Sequence, residues 1–144
     1  MKMYDRTSGV LIGKGKISAR IKQLAADISR DYEGKDLLLV GVLKGGWMYM
    51  ADLVRELTID CDVDFMMVSS YGSGTESSGE VKVLKDLSCD CRGRNVLIVE
   101  DIIDSGVTLS KLRDAIAARQ AQSVEITALL SKPSRRKTQV EVKY

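Results

Sequence analysis

Hydrophobic and polar positions alternate with different periods along the chain, and each change of period predicts a new element. Between Ile17 and Tyr32, apolar Ile17, Ile21, Leu24, Ala25 and Ile28 recur at spacings of three and four, which predicts an amphipathic helix with Ser18 as its N-cap and Gly34 as its stop. Leu37 to Val42 is an unbroken apolar run, the pattern of a strand buried on both faces, and it leads through Lys44-Gly45-Gly46 into a helical stretch from Trp47 to Leu57. Val63 to Val68 is a second apolar run. Beyond it, Ser69 to Gly79 holds three glycines and five serines, and Val81 and Val83 flank Lys82 in renewed strand alternation. This predicts a long hairpin with a mobile tip. Val96 to Val99 reads as a third buried strand, followed by an acidic turn from Glu100 to Gly106, a helix from Thr108 to Ala118 and a strand from Ser123 to Leu130. Trp47, Met48 and Met50 read as helix core.

Strands alternating with helices imply an α/β fold: a Rossmann-like, mostly parallel sheet covered by helices on both faces. In such folds ligands sit beyond the carboxyl ends of the strands, near a topological switch point. Both glycine-bearing turns, Lys44 to Gly46 and Glu100 to Thr108, fall at such ends. At about 150 residues per domain, 144 residues make a single domain, 1–144, with no repeat or linker. No apolar run reaches the roughly eighteen residues of a membrane span, and no signal-peptide core is present. Twenty-two basic against twenty acidic residues give a net charge of +2, too balanced to announce a nucleic-acid or membrane partner.

The most restrictive count is that of histidine, which is zero. It excludes Ser-His-Asp and Cys-His nucleophile systems and histidine-ligated metals, so acid-base or metal chemistry falls to carboxylates, lysines, hydroxyls, thiols or backbone amides. Cys61, Cys89 and Cys91 are odd in number, with the close pair two apart, and read as reduced structural thiols of a cytosolic protein.

Asp104-Ser105-Gly106-Val107-Thr108 opens a helix, where free backbone amides and the positive end of the helix dipole make a seat for a phosphate. Ser105 and Thr108 add hydroxyl donors, and Gly106 permits close approach of the backbone. The Walker pattern GxxxxGK[ST] is absent. Glu100 and Asp101 precede the seat and would repel a bare phosphate. Their place there makes sense if they accept hydrogen bonds from ribose hydroxyls or lie beside a hard cation such as Mg²⁺. The alternative is an acidic loop that only caps a structural helix.

Val96 to Thr108, VLIVEDIIDSGVT, resembles the phosphoribosyl-pyrophosphate (PRPP) signature of type I phosphoribosyltransferases, in the form found in the hypoxanthine-guanine members. Three more segments agree in order. Leu43-Lys44-Gly45-Gly46 looks like the family's pyrophosphate loop, Ser70-Tyr71 with its Gly/Ser-rich continuation resembles its mobile catalytic loop, and Leu129 to Pro133 looks like its purine-contacting segment. The resemblance implies purine salvage: transfer of ribose 5-phosphate from PRPP to N9 of hypoxanthine or guanine, with release of pyrophosphate and a requirement for Mg²⁺. It implies that Glu100 and Asp101 serve the ribose hydroxyls and the metal, and that Asp104 exchanges a proton with purine N7. Asp104, Ser105, Gly106, Val107 and Thr108 would seat the 5′-phosphate. Lys44, Gly45, Ser70 and Tyr71 would contact pyrophosphate, with a cis peptide bond before Lys44, and Lys132 would donate to O6 of a 6-oxopurine. Ser69 to Gly79 would close as a lid over the reacting sugar. A cytoplasmic homo-oligomer, dimer or tetramer, is implied, with no nucleic-acid or membrane partner.

Relatives continue past a strand at Val140 to Tyr144 into a segment with a purine-stacking aromatic, a second metal-binding aspartate and an arginine. The sequence as given has no counterpart of it, so the expectation is a core domain without that hood. A noncatalytic PRPP or nucleotide-binding regulator on the same scaffold, or an inactive truncated fragment, is the competing reading. An aspartate-nucleophile phosphatase fails because Asp101 and Asp104 lack the D-x-D spacing. Arg135-Arg136-Lys137 reads as a solvated basic run, of use at most to an oligomer interface or a phosphate.

Overall fold

The computed structural model describes residues 8–70 and 81–144. Its first helix, α1 (Lys14–Asp31), buries Ile21, Leu24, Ala25 and Ile28, the stripe expected from the apolar spacing. It starts ahead of Ser18, which is exposed within the helix; Gly13 stands at the N-cap and no side chain caps it. β1 (Leu37–Leu43) is buried at every position from Leu37 to Val42, as its apolar run requires. It is followed by α2 (Gly46–Glu56), β2 (Asp62–Ser70), β3 (Val81–Lys85), β4 (Asn95–Ile103), α3 (Val107–Ala117), β5 (Ser123–Ser131) and a short 3-10 turn, Pro133–Arg135.

The five strands form one sheet in the order β3-β2-β1-β4-β5. β1 pairs in parallel with both β2 and β4, and β4 with β5, while β3 closes the edge as an antiparallel hairpin partner of β2. Alternation along β1 divides the core. Leu37 and Leu39 face α1 and α2, together with Leu97 and Val99, whereas Leu38, Val40 and Val42 face α3, together with Val96 and Ile98. Each such side chain, fully buried, contributes about 1.5–3 kcal/mol. The fold is thus the two-sided α/β sheet expected.

Two local expectations change. β4 runs on to Ile103 instead of ending at Val99, because pairing with β5 continues through Ile102↔Leu130 and Ile103↔Ser131. Glu100 and Asp101 therefore sit on a strand end and not in a turn. On α2, Gly46, Tyr49, Met50 and Leu53 form the buried face, so Met50 is core while Trp47 and Met48 point to solvent at 54% and 62% exposure. Val140 to Tyr144 forms no regular ladder, yet Lys143 donates to the Ile126 carbonyl and Ala128 to that of Tyr144, both at 3.0 Å, so the segment does lie along β5. Of the lid expected from Ser69 to Gly79, Ser69 and Ser70 end β2, and the rest lies outside the described residues. Among the described residues no helix is long and apolar enough to cross a membrane.

The hairpin base is held by buried Asp64. Its Oδ1 accepts from the Phe65 amide at 2.7 Å, and its Oδ2 accepts from the Ser88 amide at 2.7 Å, the Cys89 amide at 3.2 Å and the Cys89 thiol at 3.4 Å. Lys85 adds an ion pair at 3.4 Å and donates to the Phe65 carbonyl. Burial raises the Asp64 carboxyl, but the hydrogen bonds from Phe65, Ser88 and Cys89 outweigh it and hold it at about 2, below the ordinary 3.8. A carboxylate depressed by that much contributes about 2 kcal/mol to stability above pH 4, and the contribution is lost as pH falls toward 2. We expect Asp64→Asn to lower urea stability by at least about 2 kcal/mol at pH 7, with the gap to wild type closing between about pH 4 and pH 2.

Candidate active site

β1 and β4 are neighbours, yet the chain leaves β1 for α2 on one face and β4 for α3 on the other. That divergence opens a crevice at their carboxyl ends. The turn after β1 carries Lys44, exposed, behind a cis peptide bond from Leu43, as the family resemblance implied. A Cβ on Gly45 would lie 2.6 Å from Asp101 Oδ2, and one on Gly46 would lie 2.8 Å from the Val99 carbonyl. At Gly46 the obstacle is main chain, so only glycine lets the turn rest on the end of β4, whereas at Gly45 it is the Asp101 carboxylate, which a side chain would displace. Tyr49, in the first turns of α2, shares a buried 2.6 Å hydrogen bond with Thr127 of β5 and so fixes the helix that carries this turn.

Two carboxyl groups stand together on the strand end. Glu100 Oε1 accepts from the Asp101 amide at 3.1 Å, and Asp101 Oδ1 accepts from the Ile102 amide at 2.8 Å. Burial and the neighbouring Asp101 carboxyl push Glu100 up to about 8, despite the opposing amide hydrogen bond. An acid so raised holds its proton near neutral pH until a cation or a set of donors arrives to replace it.

Past Asp104, the chain turns through Ser105 and Gly106 into α3. Gly106 adopts φ +81°, and a Cβ there would lie 2.8 Å from the Thr138 carbonyl, so both its conformation and its packing require glycine. Gly106 stands at the N-cap, and the first amide of α3, that of Val107, donates to Ser105 Oγ at 3.4 Å, so the acidic side chains of the loop do not cap the helix. The first amides of α3 face a cavity of about 180 Å³ lined by Glu100, Ile102, Ile103, Asp104, Ser105, Gly106, Thr108 and Leu109. Pockets that enclose a whole drug-sized ligand run to roughly 300–1,000 Å³, so this one has room for only one end of such a molecule.

The structure thus gathers Lys44, Gly45, Glu100, Asp101, Asp104, Ser105, Gly106, Val107 and Thr108 at one end of the sheet. It adds Lys132, whose amide donates to the Ile103 carbonyl at 2.8 Å and whose side chain is exposed at the end of β5. Ser70 ends β2, one strand away, and Tyr71 lies outside the described residues. The basic run is solvated as expected at Arg135 and Lys137, and Arg136 is half-buried, but the run also has partners in the site. Arg135 forms an ion pair with Asp104 at 3.4 Å, and Arg136 lies against Gly106 and donates to Ser131 Oγ at 2.8 Å. Its place directly after a strand that ends beside Asp104 was the signal available in the sequence.

The model of the phosphoribosyl transferase domain matches residues 13–144. Hypoxanthine phosphoribosyltransferase of Escherichia coli K12 is 51% identical over 140 residues, covering 96% of this chain and 79% of the relative. Hypoxanthine-guanine phosphoribosyltransferase of Staphylococcus aureus is 43% identical over 142 residues, covering 99% and 79%. A crystal structure of a hypoxanthine phosphoribosyltransferase from Staphylococcus aureus superposes with a TM-score of 0.95 at 43% identity, over 99% of this chain and 77% of that one.

Glycine substitutions test the geometry directly. Gly46→Ala drives a Cβ into the Val99 main chain and is expected to cost about 1–3 kcal/mol in urea unfolding. Gly45→Ala meets only the Asp101 side chain, so it is expected to keep most of that stability while displacing the carboxylate.

Proposed function

The chain belongs to the phosphoribosyltransferase family, and from that premise we propose that these residues carry out the hypoxanthine-guanine branch of its chemistry. The protein is a purine-salvage glycosyltransferase that moves 5-phosphoribosyl from PRPP to a purine base. The observation that supports the residue assignment is the close approach of Gly45 to Asp101, whose Oδ2 a Cβ would meet at 2.6 Å; on this reading the turn is the pyrophosphate loop and Glu100 and Asp101 are the ribose-binding pair facing it.

In the reaction the bond from the anomeric carbon to pyrophosphate breaks and a bond from that carbon to N9 of the base forms. Positive charge develops on the sugar and negative charge on the leaving group. Lys44, the Gly45 amide, Ser70 and Tyr71 hold the departing pyrophosphate. Ser105, Gly106, Val107 and Thr108, with the first amides of α3, anchor the 5′-phosphate, while Glu100 and Asp101 accept the ribose hydroxyls and keep the sugar in line. Asp104 exchanges the proton at N7, and Lys132 donates to O6, which favours hypoxanthine or guanine over adenine.

Mg²⁺ fits this donor set. Two carboxyls, one of them raised by burial beside the other, offer a hard oxygen site, to which substrate and water would add further ligands. When bound, the ion neutralises charge on the diphosphate. Residues 1–144 act as one core domain of a cytoplasmic homo-oligomer, dimer or tetramer, with exposed Trp47 and Met48 offering apolar surface to bury.

The test is nucleotide formation from hypoxanthine, PRPP and Mg²⁺. Asp104→Ala is expected to lower turnover by about 10²- to 10⁴-fold while leaving PRPP affinity nearly unchanged. PRPP binding without any product from wild type would favour the regulator instead. Lys132→Ala is expected to raise KM for hypoxanthine at least about tenfold and to narrow the preference over adenine.

A further inference from the structure

We infer that Arg135 is the positioning residue for Asp104: it holds the carboxylate toward the purine side of the crevice and away from the phosphate seat at α3. The inference rests on the phosphoribosyltransferase reading of this site and adds to it a residue outside the signature segment.

Backbone geometry makes the pairing more than a chance meeting of two surface side chains. The two residues that flank Asp104 are tied to the two ends of one short segment. The Ile103 carbonyl accepts from the Lys132 amide at 2.8 Å, and the Ser105 carbonyl accepts from the Lys137 and Thr138 amides at 2.9 and 3.1 Å. Between those ties the segment makes its 3-10 turn, in which the Arg135 amide donates to the Lys132 carbonyl and the Arg136 amide to that of Pro133, both at 3.1 Å. The main chain of Arg135 is therefore fixed relative to that of Asp104, and its Nε comes within 3.4 Å of Asp104 Oδ1. The adjacent Arg136 is committed elsewhere, to Ser131 and to the wall of Gly106.

Stability is a poor explanation for the pair. Its side chains are 71% and 49% exposed, and ion pairs that open contribute little to folding. Direction is the better one. An aspartate just ahead of a helix is well placed to cap it, and a capping carboxylate would occupy the amides a phosphate needs. Here the N-cap is Gly106, the Val107 amide goes to Ser105 Oγ, and the Asp104 carboxylate is turned to Arg135 instead. The guanidinium thereby leaves the phosphate seat open and presents the carboxylate beside Lys132, where a purine would lie.

A double-mutant cycle tests this with Arg135→Gln, Asp104→Asn and both together, in turnover of hypoxanthine with PRPP and Mg²⁺ and in IMP affinity by calorimetry. Arg135→Gln is expected to lower kcat about tenfold, to weaken IMP and to shift KM for PRPP less than about twofold, since a displaced group costs rate more than remote binding. Neither loss should recur in the Asp104→Asn background, and Arg135→Lys should restore most of kcat. Equal losses in both backgrounds, or an unchanged kcat and IMP affinity in Arg135→Gln, overturn the inference. If the cycle can be read in IMP affinity alone, that readout decides it. A wild-type chain that neither forms nucleotide nor binds IMP overturns the functional reading itself, and the positioning role with it.

Discussion

The parallel pairing of β1 with β4 is the constraint on which the rest of the site depends. Its register, from Leu37↔Asn95 to Gly41↔Val99, sends Lys44-Gly45-Gly46 past the end of one strand just where Glu100 and Asp101 emerge from the other. The next helices depart on opposite faces, α2 on one and α3 on the other, which parts the chain at the carboxyl ends of the two strands. A register slip of one residue would turn every core side chain of β1 to the wrong layer, so the same burial that stabilises the sheet also sets the distance across the crevice. The two glycines are the local consequence, since a side chain at Gly46 would push the turn off β4 and one at Gly45 would displace the Asp101 carboxylate.

Charge in the crevice is arranged around what is to be bound. The carboxyl pair on β4 is left without a cation of its own, and Glu100 is raised by its burial and its neighbour. Lysines stand on either side, Lys44 after β1 and Lys132 after β5, and Arg135 reaches in from the turn beyond. The chain has no histidine, and the titratable groups gathered at this end of the sheet are carboxyls, lysines and an arginine.

The site proper and the segment after β5 are one unit. Hydrogen bonds to the Ile103 and Ser105 carbonyls and the close fit of Thr138 against Gly106 make residues 132–138 the outer wall of the phosphate loop. Val140 then returns to the core on the α3 side, so the wall is anchored at both ends. That anchoring gives a polar, basic stretch a defined geometry that its composition does not announce.

Much was legible in the sequence alone. The apolar run at Leu37 to Val42, the helical spacing from Ile17 to Ile28 and the segment from Val96 to Thr108 determined the layers, the central strand and the glycine turn that opens α3, because burial on two faces, burial on one stripe and a glycine turn each leave their own mark on the sequence. What the tertiary structure decided were matters of neighbourhood. β4 outlasts its apolar residues because β5 supplies hydrogen-bond partners through Ile103; Trp47 and Met48 fall outside because the α2 face was already occupied by Tyr49, Met50 and Leu53. Ser18 sits inside a helix that Gly13 begins. Arg135 becomes part of the site because a turn some thirty residues later in the chain is hydrogen-bonded to both sides of Asp104. Periodicity records how a residue meets the core, but it carries no record of which distant segment will lie beside it, and that depends on long-range pairing that only the folded chain contains.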